Sequence, residues 1–167
     1  MVVDNTDGAL ALTFLDYRSQ NLIDMKGVVM RKATKDALLD QIHEELRATL
    51  VQAMTSGFPL HISMRNSAPD FNKTFFEPTK FPSELFTLRK FESSEGKYYS
   101  SSVNTPSMHA MLATASETTE LMQSHNMGRG KTMHPLLSTT FKLEDYAGFL
   151  GKMLPPLGLF QVIHVTD

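Results

Sequence analysis

The chain has 167 residues, eleven methionines and neither cysteine nor tryptophan, and sixteen Lys and Arg against eighteen Asp and Glu leave a net charge of -2. That length suits a single domain over 1–167, and a content of 41% hydrophobic and 20% charged residues supplies a core and excludes a disordered chain. Balanced charge gives no bulk attraction to nucleic acid or to an anionic membrane, and the lack of cysteine removes disulfides, thiolate metal sites and cysteine nucleophiles.

In chain order, Ala9–Leu15 is almost continuously apolar and ends in Asp16, Tyr17 and Arg18, the pattern of a strand buried on both faces of a parallel sheet. Gly27–Met30 has the same character over a shorter run. Thr34 is placed to cap a helix carrying Leu38, Leu39, Ile42, Leu46, Leu50, Ala53 and Met54 at helical spacing, with Asp40, Glu44, Glu45, Arg47 and Gln52 on its outer side. Gly57 and Pro59 end it, and Phe58 is placed to fold back on the last turn. Leu60–Arg65 alternates apolar and polar residues as a strand, which completes a βαβ unit.

The segment after it is turn-rich at Asn66–Asp70 and then rich in phenylalanine, with a short helix predicted over Pro82–Arg89. Residues 92–107 are polar and serine-rich without periodicity, which predicts a mobile surface loop. Met108, Met111, Leu112, Ala115, Leu121 and Met122 repeat at helical spacing. Leu136–Phe141 reads as a strand, Leu143–Met153 as a helix stopped by Pro155 and Pro156, and Phe160–Val165 as a last strand. Together these elements predict an α/β three-layer sandwich, with a small, mostly parallel sheet of 4–5 strands flanked by helices in two βαβ units.

No chemical motif is complete. Gly128–Thr132 ends like a phosphate-binding P-loop, but the required upstream glycine position is His125, and Pro135 resists the long helix that should follow. Leu12–Asp16, mostly apolar and then acidic, has the form of the metal-side strand of nucleotide hydrolases without a glycine-rich loop before it. His43–Glu44 begins like a zinc-protease helix, yet the second ligand position is Arg47. No serine sits in a Gly-x-Ser-x-Gly elbow.

Ligands of parallel α/β sheets bind outside the carboxyl ends of the strands. That rule selects Asp16, Arg18, Arg65, Asn66, Asp70 and Thr140 as a ligand-binding set, the competing reading being solvated ion pairs and turn caps. Phe75 and Phe76 are the candidates for a partner-docking surface, against a core role for the whole phenylalanine cluster. The resulting expectation is a cytoplasmic, non-catalytic module without metal or cofactor, binding a protein partner or itself and neither nucleic acid nor membrane. The alternative is a degenerate P-loop-like or Rossmann-like domain that holds a nucleotide or small acid at the strand ends.

Overall fold

Residues 1–56, 58–86, 117 and 134–166 are described by the computed structural model. Five short strands carry the architecture: β1 (Val2–Asp4), β2 (Asn21–Asp24), β3 (Leu60–Arg65), β4 (Pro135–Thr139) and β5 (Ile163–Val165). They form one sheet in the order β2-β3-β4-β1-β5, and every pairing is parallel. The expected α/β class with a parallel sheet and flanking helices is thus present.

The helices are α1 (Leu10–Arg18), α2 (Met25–Thr34), α3 (Leu39–Ser56) and α4 (Leu143–Gly148). Two sequence expectations are corrected here. Ala9–Leu15 is not a strand but lies in α1, and Gly27–Met30 lies in α2; the first strands are instead the short runs Val2–Asp4 and Asn21–Asp24. Asp24 caps α2 by accepting from the Gly27 amide at 3.2 Å. A β-carbon at position 27 would lie 2.8 Å from Asp24 Oδ2 and would push the capping carboxylate aside. Thr34 ends α2 rather than capping α3, and Lys35 turns the chain with φ 60°.

α3 meets its expectation at the core face, where Ile42, Leu46, Leu50, Ala53 and Met54 are all buried. Leu38 stays exposed ahead of the helix, and Phe58 stands exposed beyond it. Arg47, expected on the outer side, is instead buried between Glu44 and Glu117. Hydrogen bonds to both carboxylates raise its pKa, outweighing desolvation. Pro82–Arg89 reduces to a 3-10 turn at Ser83–Phe86 within the described residues. The 92–107 loop and the glycine turn at 128–132 lie outside the described residues, as does the Met108–Met122 stripe apart from Glu117.

The two faces of the sheet differ in chemistry. Leu60, Ile62 and Met64 of β3 join the core with α2, α3 and the phenylalanine segment. Side chains alternate along a strand, so His61 and Ser63 point to the other face, where His61 contacts Ser19 just past α1. The first face is therefore a thick apolar core. The second carries α1 over a buried row of polar side chains, His61, Ser63 and Ser138.

Candidate functional site

β1 leads into α1 on the polar face, whereas β4 leads into α4, whose Leu143 and Tyr146 pack on the apolar core. β1 and β4 are neighbours, so their connections leave on opposite faces and open a crevice at their carboxyl ends. A cavity of about 270 Å³ lies there, lined by Ala9, Leu12, Lys26, Arg65, Asn66 and Thr140. Three members of the sequence-derived ligand set, Arg65, Asn66 and Thr140, meet in this cavity. Lys26 joins them because β2 passes directly into α2, a connection that the strand reading of Gly27–Met30 concealed.

The remaining members are placed otherwise. Asp16 reaches Arg65 with its Oδ2, forming an ion pair beside the cavity. Arg18 is exposed at the end of α1. Asp70 caps the π turn at Phe71–Phe75 by accepting from the Lys73 amide at 3.1 Å, and lines a separate cavity with Lys32 and Phe75. Phe75 is 2% exposed, and Phe76 packs on Phe71 with ring centroids 5.4 Å apart, so both rings sit with the core.

Two residues lining the cavity hold unusual backbone conformations: Ala9 and Arg65 both have φ 49°. Left-handed geometry in a residue with a β-carbon is strained and needs surrounding structure to impose it. At Arg65 the imposing bonds are visible, since its carbonyl accepts from the Thr140 amide at 2.9 Å and from the Thr139 hydroxyl at 3.0 Å. The register of β3 on β4 also shifts between Ser63 and Arg65. The crevice is thus a built feature of the strand ends.

Close by, at the end of β1, Asp4 is 1% exposed. The Asp4 carboxylate accepts from the Leu12 amide at 2.9 Å, the Thr6 amide at 3.0 Å and the Thr6 hydroxyl at 2.6 Å. Burial alone would raise its pKa, but these hydrogen bonds together hold it below the usual carboxylate value. The first turn of α1 is where a phosphate-binding fold would receive its anion. Here the chain's own carboxylate occupies that position.

Beneath α1 lies a constellation that sequence reasoning missed. His61 Nε2 is 2.7 Å from Ser138 Oγ, and His61 Nδ1 is 2.8 Å from Ser19 Oγ and 3.7 Å from Asp16 Oδ1. Serine, histidine and aspartate are the residue types of a nucleophilic triad. Geometry and access speak for a different role: His61 and Ser138 are fully buried, neither lines the cavity, and Nδ1 faces a serine hydroxyl more closely than the carboxylate. Ser19 Oγ is also 2.6 Å from the Leu15 carbonyl, to which it donates, so it accepts from Nδ1 and leaves Nε2 to accept from Ser138. Burial lowers the His61 pKa more than the nearby Asp16 charge raises it, which favours the neutral ring. The network fastens α1 to the sheet. Only the spacing of polar positions on β3 and β4 hinted at it, and those positions read equally well as a solvated face.

Among the described residues no group of three or more His, Asp or Glu side chains is arranged to hold a metal ion, and no helix is long and apolar enough to cross a membrane. No protein-family profile, no curated protein and no solved structure matches the chain.

α1 itself has the reverse of the usual polarity. It buries Leu12 above the polar network, while Leu10, Phe14 and Tyr17 stand outward at 69%, 62% and 86% exposure. Spacings of four and three residues place all three on one side of the helix. Beside it on the same face of the sheet, Ile163, paired with Val2 across β5 and β1, is more than half exposed.

Proposed function

We propose that the chain is a non-catalytic α/β module that acts by docking a protein on the face of its sheet covered by α1. The observation that carries this reading is the outward stripe Leu10, Phe14 and Tyr17 on a helix whose inward side is tied down by polar bonds. Parallel sheets are ordinarily covered on both faces, and contiguous exposed apolar patches are characteristic of contact surfaces. A photo-crosslinking residue placed at Thr13, within the exposed side of α1, is expected to give protein adducts in cell extract. The same residue at Gln52 on the exposed side of α3 serves as the control. Adducts at Thr13 no stronger than those at Gln52 would remove the reading.

A second reading is favoured by the strand-end cavity. Lys26 offers a cation, Arg65 a guanidinium already paired with Asp16, Asn66 and Thr140 polar groups, and two strained backbones shape the wall. That chemistry suits a small acid carrying a carboxylate or a phosphate. The volume of about 270 Å³ and the occupation of the α1 terminus by Asp4 count against a whole nucleotide. The test is thermal unfolding with inorganic phosphate, small dicarboxylates, ATP and GTP, using Lys26→Ala as the control. No ligand-dependent rise, or an equal rise in the variant, disposes of it.

A further inference from the structure

We infer that anion binding in the strand-end cavity is coupled to proton uptake at His61 beneath α1, with Asp16 shared between the two; this rests on the small-acid reading of that cavity. One carboxylate stands between a guanidinium and an imidazole. Its Oδ2 holds Arg65, which lines the cavity, while its Oδ1 lies 3.7 Å from Nδ1 of His61. That second oxygen is buried and has no hydrogen-bond partner among the described residues. An open buried acceptor is costly, and this one stands beside a ring that can take up a proton.

With His61 neutral, Asp16 and Arg65 balance one another and the guanidinium is engaged within the chain. An anion in the cavity competes with Asp16 for Arg65. It thereby deprives of its cation a carboxylate whose side chain is only 11% exposed. Protonation of His61 offsets that loss. Released from Arg65, Asp16 needs to move only about 1 Å to accept from Nδ1 at hydrogen-bond length. Nε2 then donates to Ser138 Oγ, whose hydroxyl rotates from donor to acceptor. The three groups gain one positive charge beside Lys26 on the cavity wall. Anion and proton each favour the other, and linkage makes the two effects equal.

Asp16 and Arg65 are the charged groups that act on the ring. On that face of β3 its neighbour is Ser63, and β4 presents Leu136 and Ser138. β2 places Leu22 opposite His61, and Asp24 beyond it is occupied in capping α2. α1 contributes Asp16 above the ring, with Ser19 following. Burial disfavours the charged ring and Asp16 favours it, while Arg65 opposes it. An anion that draws Arg65 away weakens that opposition.

Calorimetric titration of the full chain with sulfate and with oxalate tests the coupling, since both keep their charge between about pH 7.5 and about pH 5.5. Affinity is expected to rise by about three- to tenfold across that range as pH falls. The heat is expected to vary with the ionisation enthalpy of the buffer, which reports net proton uptake. His61→Gln is expected to keep the neutral-pH affinity at every pH and to take up no proton. Asp16→Asn leaves Arg65 without its internal partner, so it is expected to bind more tightly than wild type at about pH 7.5, with a flat pH profile. It tests the coupling from the cavity side even where the His61 variant unfolds. Binding without proton uptake, or a pH dependence that survives in either variant, would overturn the coupling and leave the small-acid reading standing. No binding of either anion, or binding unchanged in Lys26→Ala, discards both.

Discussion

Ser138 on β4 donates its hydroxyl hydrogen to Nε2 of His61 on β3 across 2.7 Å, in a fully buried contact between neighbouring strands. The opposite ring nitrogen reaches Ser19 beyond the far end of α1. One imidazole therefore joins two strands and a helix on a face that has little apolar packing to offer. Replacing it removes the hydrogen bonds and leaves the buried Ser138 hydroxyl to find another partner, while Ser19 keeps its bond to the Leu15 carbonyl. His61→Ala is expected to cost about 2–4 kcal/mol in urea unfolding, from the cavity and the orphaned hydroxyl together. A loss under about 1 kcal/mol would show that α1 is held by something else.

The same residue makes stability depend on pH. Burial holds the folded His61 pKa below its ordinary value of 6.5, despite the opposing pull of Asp16. As pH falls through 6.5 the unfolded chain takes up a proton that the folded chain refuses, so the unfolded state gains. His61 therefore contributes fully above pH 6.5, and its contribution declines with acid until the folded ring itself titrates. The slope from one such group approaches about 1.4 kcal/mol per pH unit. The chain carries five other histidines. The measurement is accordingly the difference between wild type and His61→Gln, with the variant expected to show the flatter curve between pH 7 and 5. Parallel curves would contradict the assignment.

Asp4 acts lower on the pH scale. Its folded pKa is depressed below 3.8 by the amide and hydroxyl donors around it, so its contribution is present above that value and is lost as pH falls through the folded one. At neutral pH, Asp4→Ala strips the cap from α1 and is expected to cost about 1–3 kcal/mol. It also vacates the anion position at the helix start. Millimolar sulfate or phosphate is then expected to raise the unfolding midpoint of Asp4→Ala while leaving wild type unmoved. Equal responses in the two proteins would mean that Asp4 does not occupy that position.

The elements that were readable are those whose two sides differ. α3 buries Ile42, Leu46 and Leu50 and exposes Asp40 and Gln52, and β3 alternates cleanly, so both were evident from periodicity. α1 was not. Its inner side holds Leu12 and its outer side Leu10, Phe14 and Tyr17, which leaves no polar face to mark the helical period. The feature that hid the helix is the one on which the proposed docking surface rests. β1 and β2 have three and four residues and fall below the length at which alternation can be seen. The strand-end rule brought together Arg65, Asn66 and Thr140, which line one cavity, but the positive φ at Ala9 and Arg65 and the Asp4 cap depend on long-range bonds that no local pattern records.

Two phenylalanines of equal chemistry occupy opposite environments, and their variants separate core from surface. Phe75 is 2% exposed in a ring cluster where its centroid lies 6.2 Å from that of Phe71. Truncation removes buried area and leaves a cavity, so Phe75→Ala is expected to cost about 3–5 kcal/mol and to shift urea unfolding sharply. Phe14 is 62% exposed, and the isolated chain has little packing to lose there. Phe14→Ser is expected to change monomer stability by no more than about 0.5 kcal/mol at low protein concentration. The comparison is made by urea unfolding well below the micromolar range, where any association through α1 is absent. A large destabilisation by Phe14→Ser under those conditions would mean that the ring is internal packing rather than a docking surface. Little effect from Phe75→Ala would place that ring outside the core and return the phenylalanine segment to consideration as the contact face.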